Sequence, residues 1–177
     1  MTRFTFPRQV PDGSKRNEEQ LCLADYFRPV ESGEFDVAAF QVVTAGHAAS
    51  EYGEQLRAQG EFNRSHQVLG LSTSVPEAMA DYVNDLIRQE LGLGPKRGLR
   101  FSWGYLACPD LEDQTKLFDL MPVTEQIGVT ITESFQFVPE QSTAALVVHH
   151  PQAKYFSVLS SAGADRVGTG EAVAAGD

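Results

Sequence analysis

RFSWGYLACPD, residues 100–110, interrupts a chain whose neighbouring segments are periodic. The stretch has neither helical nor alternating apolar spacing, so it reads as a loop. It nevertheless holds the only tryptophan, Trp103, one of two cysteines, Cys108, and the group Arg100, Gly104, Tyr105 and Pro109. Loops of this kind are tight connectors or binding surfaces. As a connector, Gly104 would take a backbone angle denied to other residues, the aromatics would cover a core, and Pro109 would precede a helix cap. As a site, Arg100 supplies a planar fork of donors for a carboxylate. Gly104 lets the backbone approach a ligand, and Tyr105 offers an aromatic wall with a polar tip. Together they suit a zwitterion joined to a flat ring, such as a nucleoside carrying an amino acid.

Upstream of this loop the signals are mixed, then helical. Residues 1–19 are polar with Pro7, Pro11 and Gly13, an irregular lead-in. LCLADYF (21–27) alternates like a short strand that stops at Arg28-Pro29, VESGE (30–34) is a turn, and FDVAAFQVVTAG (35–46) reads as a buried strand. Residues 47–74 suggest a helix broken at Gly53 and Gly60 and then a loop. SVPE (74–77) is a capping box with Ser74 as cap and Glu77 reaching back, and it opens the firmest helix. Met79, Tyr82, Val83, Leu86 and Ile87 recur there at helical spacing, and Gly92 follows Leu91 as a stop.

Downstream, Asp110 caps a second helix with Leu111, Thr115, Phe118 and Met121 on one side and Pro122 at its end. VTITESFQFVP, TAALVVHH and KYFSVLS are three β-rich runs, an antiparallel meander by their Gly and Pro punctuation. The tail, 161–177, is small, polar and glycine-rich, and is expected to be disordered. Helical and strand runs segregate, which gives an α+β domain over residues 1–160.

Composition narrows the function. A formal charge of −10 leaves no basic surplus for nucleic acid or for an anionic membrane surface. No apolar run is long enough to span a bilayer, and the N-terminus lacks an apolar signal region, so the cytoplasm is the expected compartment. Cys22 and Cys108 read as buried free thiols. GLGPKRG (92–98) fails the dinucleotide spacing because position 97 is Arg and the segment follows a helix. His47, His66, His149 and His150 lack zinc-ligand spacing, no G-x-S-x-G elbow exists, and no metal or hydrolase site is expected.

Arg100-x-x-x-Gly104-Tyr105 followed by Ala107-Cys108-Pro109-Asp110 resembles the S-adenosylmethionine-binding motif of the activation domain of cobalamin-dependent methionine synthase. LCLADYFRP (21–29), AFQVVTAG (39–46), EAMADYVNDLIRQELG (77–92), TITESF (130–135) and HPQAKYF (150–156) occur in that family's order, so the likeness covers roughly residues 3–160. It implies a helmet-like α+β fold around a twisted antiparallel sheet. It also implies that S-adenosylmethionine is bound and donates its methyl group to oxidised cobalamin held by a partner domain or subunit, with an electron from a flavodoxin-like reductase.

By position, the resemblance puts Arg100 on the ligand's carboxylate, with Gly104 and Tyr105 completing the motif and Ala107 beside it. Tyr155 and Phe156 then lie nearer the nucleoside. The chain departs from the family by carrying Leu106 where the motif has proline. It also lacks a counterpart to the upstream region whose acidic residue holds the ligand's amino group, and it has no cobalamin-ligating D-x-H-x-x-G. It is therefore expected to be the C-terminal portion of an activation domain, not a catalytically complete methionine synthase. The competing expectation is a structural or interaction remnant without ligand binding. An independent methyltransferase is disfavoured by the missing glycine-rich loop after a first strand.

Overall fold

The structure, a computed structural model, describes residues 1–10, 19–94 and 97–158. Its centre is a three-stranded antiparallel sheet in which the last strand is the middle one. β1 (Ala39–Thr44) and β2 (Leu99–Phe101) both pair with β5 (Ser142–Val148), Ala39 opposite Val147 and Arg100 opposite the same residue from the other side. STAALVV is apolar on both faces because both faces are covered, and Ala144 through Val148 are buried. The apolar runs at 39–44 and 142–148 were legible as strands. A sequential meander is not what forms, because β5 returns between two strands that never touch. A separate hairpin joins β3 (Thr130–Ile131) and β4 (Phe137–Val138). Residues 154–158 of KYFSVLS form no strand, and its last residues, like the tail 161–177 and positions 11–18, lie outside the described residues.

One face of the sheet carries a long helix, with a shorter one packed on that helix. α1 (Ala48–Ala58) ends where Gly60 turns into the left-handed region at φ +80°. Gly53 does not break it: a Cβ there would come within 2.9 Å of Leu69 Cδ2, so this glycine lets the next helix approach. That next helix, α2, runs unbroken from Phe62 to Glu90. It corrects the expected loop before Ser74, which lies within the helix and caps nothing. Pro76 sits inside α2, with Ser72, Pro76, Ala80 and Asn84 forming the buried edge. Packing of this narrow edge on β1 and β5 outweighs the local cost of an internal proline. Asn84 Nδ2 donates to the Gly98 carbonyl at 3.1 Å, pinning α2 to the start of β2. Met79, Tyr82 and Leu86, expected on the core face, are exposed, while Val83 and Ile87 are half-buried.

The other face holds the main core. Leu146 and Val148 of β5 pack there with Phe101, Trp103, Ala107, Cys108 and Leu117, joined by Phe4, Phe40 and Phe156. LCLADYF contributes not a strand but a 3-10 turn, Leu23–Tyr26, because the i and i+3 residues Leu23 and Tyr26 are the two that enter this core. Asp110 accepts from the Glu112 amide at 3.0 Å but does not cap the expected helix. A 3-10 turn (Glu112–Lys116), whose cap position is Leu111, leads instead into the single-turn α3 (Leu117–Leu120), followed by α4 (Val123–Ile127). Both thiols are free and buried. The architecture is α+β, as the segregation of strand and helix patterns indicated.

Candidate functional site

RFSWGYLACPD divides its residues between core and surface. Arg100 and Phe101 belong to β2, and Trp103 is 3% exposed against Phe4 and Phe40, its ring centroid 5.8 and 6.2 Å from theirs. With Trp103 fixed inward, the chain must reverse within a few residues. Gly104 makes that reversal at φ +82°, its amide donating to the Cys108 carbonyl at 2.9 Å while the Cys108 amide donates back to the Tyr105 carbonyl at 3.1 Å. The Cys108 thiol donates to the Ser102 carbonyl at 3.0 Å. Burial, with the Asp113 carboxylate adding to it, pushes this thiol up to about 12, so it is no nucleophile near neutral pH.

A side chain at position 104 meets two obstacles: the left-handed backbone, and Leu111 Cδ1 3.0 Å from where a Cβ would stand. Gly104→Ala is therefore expected to cost about 1–2 kcal/mol and to lower Tm in differential scanning calorimetry by about 3–6 °C. A Tm equal to that of the parent chain would show that the reversal is not constrained in this way.

The reversal leaves Tyr105 outward, and a cleft of about 420 Å³ opens beside it. Arg100, Tyr105, Ala107, Tyr155 and Phe156 all line this cleft, so five of the six expected site residues converge. The sixth, Gly104, shapes the turn that presents Tyr105. Segment 155–158 reaches the loop because the Val158 amide donates to the Leu106 carbonyl at 2.9 Å and the Gln9 side chain donates to the Ser157 carbonyl at 2.8 Å. The Tyr155 ring stands 5.3 Å from Phe101, while Tyr105 and Tyr155 are 64% and 68% exposed, which leaves the cleft open on that side.

Sequence reasoning missed Glu77, Phe101, Ser102 and Leu106 as lining residues. Glu77 is the informative one. Its carboxylate accepts from Arg100 Nη2 at 3.4 Å, beside Asp81, which accepts from the same nitrogen at 2.9 Å. No spacing rule links positions 77 and 100, because their meeting depends on where α2 crosses the sheet. A second, more polar cleft of about 490 Å³ shares Glu77, Ser102 and Tyr105 with the first. Among the described residues no group of three or more His, Cys, Asp or Glu is placed to hold a metal, and no helix is long and apolar enough to cross a membrane.

Comparison with known proteins places these features in context. The family model for the activation domain of vitamin B12 dependent methionine synthase matches residues 1–168. The methionine synthases of Mycobacterium tuberculosis (strain ATCC 25618 / H37Rv) and Mycobacterium leprae (strain TN) are each 39% identical over 179 residues, covering 88% of this chain. The chain spans 14% of the length of those relatives. A crystal structure of the MetH reactivation domain bound to AdoHcy superposes with a TM-score of 0.76 at 27% identity, over 86% of this chain and 51% of that one.

Proposed function

The chain belongs to the activation-domain family of vitamin B12 dependent methionine synthase, and from that premise we propose that its cleft binds S-adenosylmethionine for the reactivation of cobalamin. The observation that carries the reading is the convergence of Arg100, Tyr105, Ala107, Tyr155 and Phe156 on one open cleft. That a solved reactivation domain of the same fold is bound to AdoHcy, the demethylated form of the same ligand, supports it.

Each wall suits one part of that ligand. Arg100 offers charge-assisted donors to the amino-acid carboxylate. The rings of Tyr105, Tyr155 and Phe156 give apolar, stackable surface to the nucleoside. Glu77 places a negative charge on the lining, opposite in sign to the ammonium and sulfonium groups. The exposed tyrosines leave one side open, where a cobalamin-binding module can present its cofactor to the methyl group. In the family's chemistry, one electron from a flavodoxin-like reductase and a methyl cation from S-adenosylmethionine convert inactive cob(II)alamin to methylcobalamin and release S-adenosylhomocysteine. This chain's part is to hold the donor and exclude other orientations. The cobalamin, its module and the reductase are partners.

Isothermal titration calorimetry of the chain with S-adenosylmethionine tests the binding. Saturable heat with one ligand per chain is expected. Absence of heat at millimolar ligand would overturn the reading and leave the fold as an interaction module without ligand binding.

A further inference from the structure

We propose that Asp81 is a positioning residue for Arg100, holding one edge of its guanidinium so that the other meets the carboxylate of the ligand; the inference rests on the reading of the cleft as an S-adenosylmethionine site. Arg100 can present two forks, Nη2 with Nη1 or Nη2 with Nε, and both use Nη2. Nη2 has two hydrogens. In the structure Nη2 donates to two carboxylates of α2, at 2.9 Å to Asp81 and at 3.4 Å to Glu77, and these are the guanidinium's partners among the described residues. A carboxylate that takes either fork must therefore displace one of them. The contact to Glu77 is the longer, and Glu77 lines the cleft where the ligand enters, whereas Asp81 does not. Glu77 yields, and Asp81 remains to fix the plane of the guanidinium.

The elements on both sides of this pair are rigid. Arg100 lies in β2, paired with Val147 of the central strand. Asp81 follows Ala80, which is fully buried, and Asn84 less than one turn on anchors α2 to Gly98. A group held between two such elements is pre-organised, and a ligand that uses it loses little freedom. The side chains are unequal in exposure: Arg100 is 17% exposed and Asp81 73%. An ion pair with one solvated partner adds little to folding stability, so the role of Asp81 is orientation.

Titration calorimetry of the wild-type chain, Asp81→Ala and Asp81→Asn decides the matter, with S-adenosylmethionine and with 5′-methylthioadenosine, which keeps the nucleoside and sulfur but lacks the amino-acid end. Asp81→Ala is expected to weaken S-adenosylmethionine binding roughly three- to fivefold. It should leave methylthioadenosine within about twofold and leave Tm unchanged. Asp81→Asn, which keeps an acceptor for Nη2, is expected to recover part of the loss. Equal weakening toward both ligands would overturn the inference by showing a general structural effect. Unchanged or tighter S-adenosylmethionine binding would overturn it too, because Asp81 would then be idle or only a competitor for the guanidinium. Failure of the wild-type chain to bind S-adenosylmethionine would instead overturn the reading of the cleft itself, and this inference with it.

Discussion

Arg100→Ala is expected to weaken S-adenosylmethionine binding by about a hundredfold, the largest single effect on the ligand that any substitution in the cleft should produce. The charge-assisted pairing with the ligand's carboxylate is lost; a hydrogen bond to a charged group is typically worth about 1.5–3 kcal/mol, and about 2.7 kcal/mol corresponds to that factor. A second effect acts in the same direction. Without the guanidinium, the carboxylates of Glu77 and Asp81 face the ligand's carboxylate with no cation between them. Stability should barely change, since both carboxylates are 60% or more exposed and water can solvate them. Arg100→Lys keeps the charge but not the fork, and an intermediate loss of about tenfold is expected. Calorimetric titration of the three proteins at equal ionic strength reads these ratios. An Arg100→Ala affinity equal to wild type would remove Arg100 from the site, whatever the ligand.

The largest effect on stability is expected from Trp103→Ala, at about 3–5 kcal/mol, the range for truncating a buried large aromatic residue. Trp103 forms a three-ring cluster with Phe4 of the N-terminal segment and Phe40 of the sheet, whose rings also stack on each other at 5.1 Å, so its removal leaves a void that neither neighbour can fill without breaking that contact. That loss is a large share of the 5–15 kcal/mol or so that keeps a typical domain folded. Urea unfolding followed by circular dichroism measures it, because the variant has no tryptophan left to report fluorescence. A midpoint lowered by about 1–3 M is expected; one within a few tenths of a molar would show that the residue is not a keystone of the core. Binding should fall as well, since Trp103 anchors the inward side of the turn whose outward side presents Tyr105.

Why some of this was legible in the sequence and some not follows from the range of the interactions. FQVV and TAALVV announce buried strands because continuous apolar β-branched runs have few other uses, and each run carries its own signal. Their order in the sheet does not, because nothing local to 142–148 says that it will insert between 39–44 and 99–101. α2 misled for a related reason. Gly70, Ser72, Thr73, Ser74 and Pro76 are poor helix formers read singly, yet Ser72 and Pro76 belong, with Ala80 and Asn84, to the narrow buried edge that lets the helix lie close against the sheet. Propensity pointed to a loop, and tertiary packing prevailed. Of the residues that line the cleft, Arg100 and Tyr105 were legible as candidates in the loop, and Tyr155 and Phe156 through the family resemblance. Glu77 and Asp81 were not, because their meeting with Arg100 combines the phase of a helix with the register of a strand.

The central position of β5 has a consequence for how the chain is made. β1 and β2 are synthesised well before residues 142–148, yet among the described residues each has its only sheet partner there. A nascent chain that has emerged only through β4 carries both strands with open edges and without the strand that pairs with them. Contacts of such long sequence separation must wait for loop closure, which slows folding and lengthens the exposure of those edges. Arg100 gains its paired strand at the same late moment, and the cleft is completed only after β5, when Tyr155 and Phe156 follow it and settle against the loop.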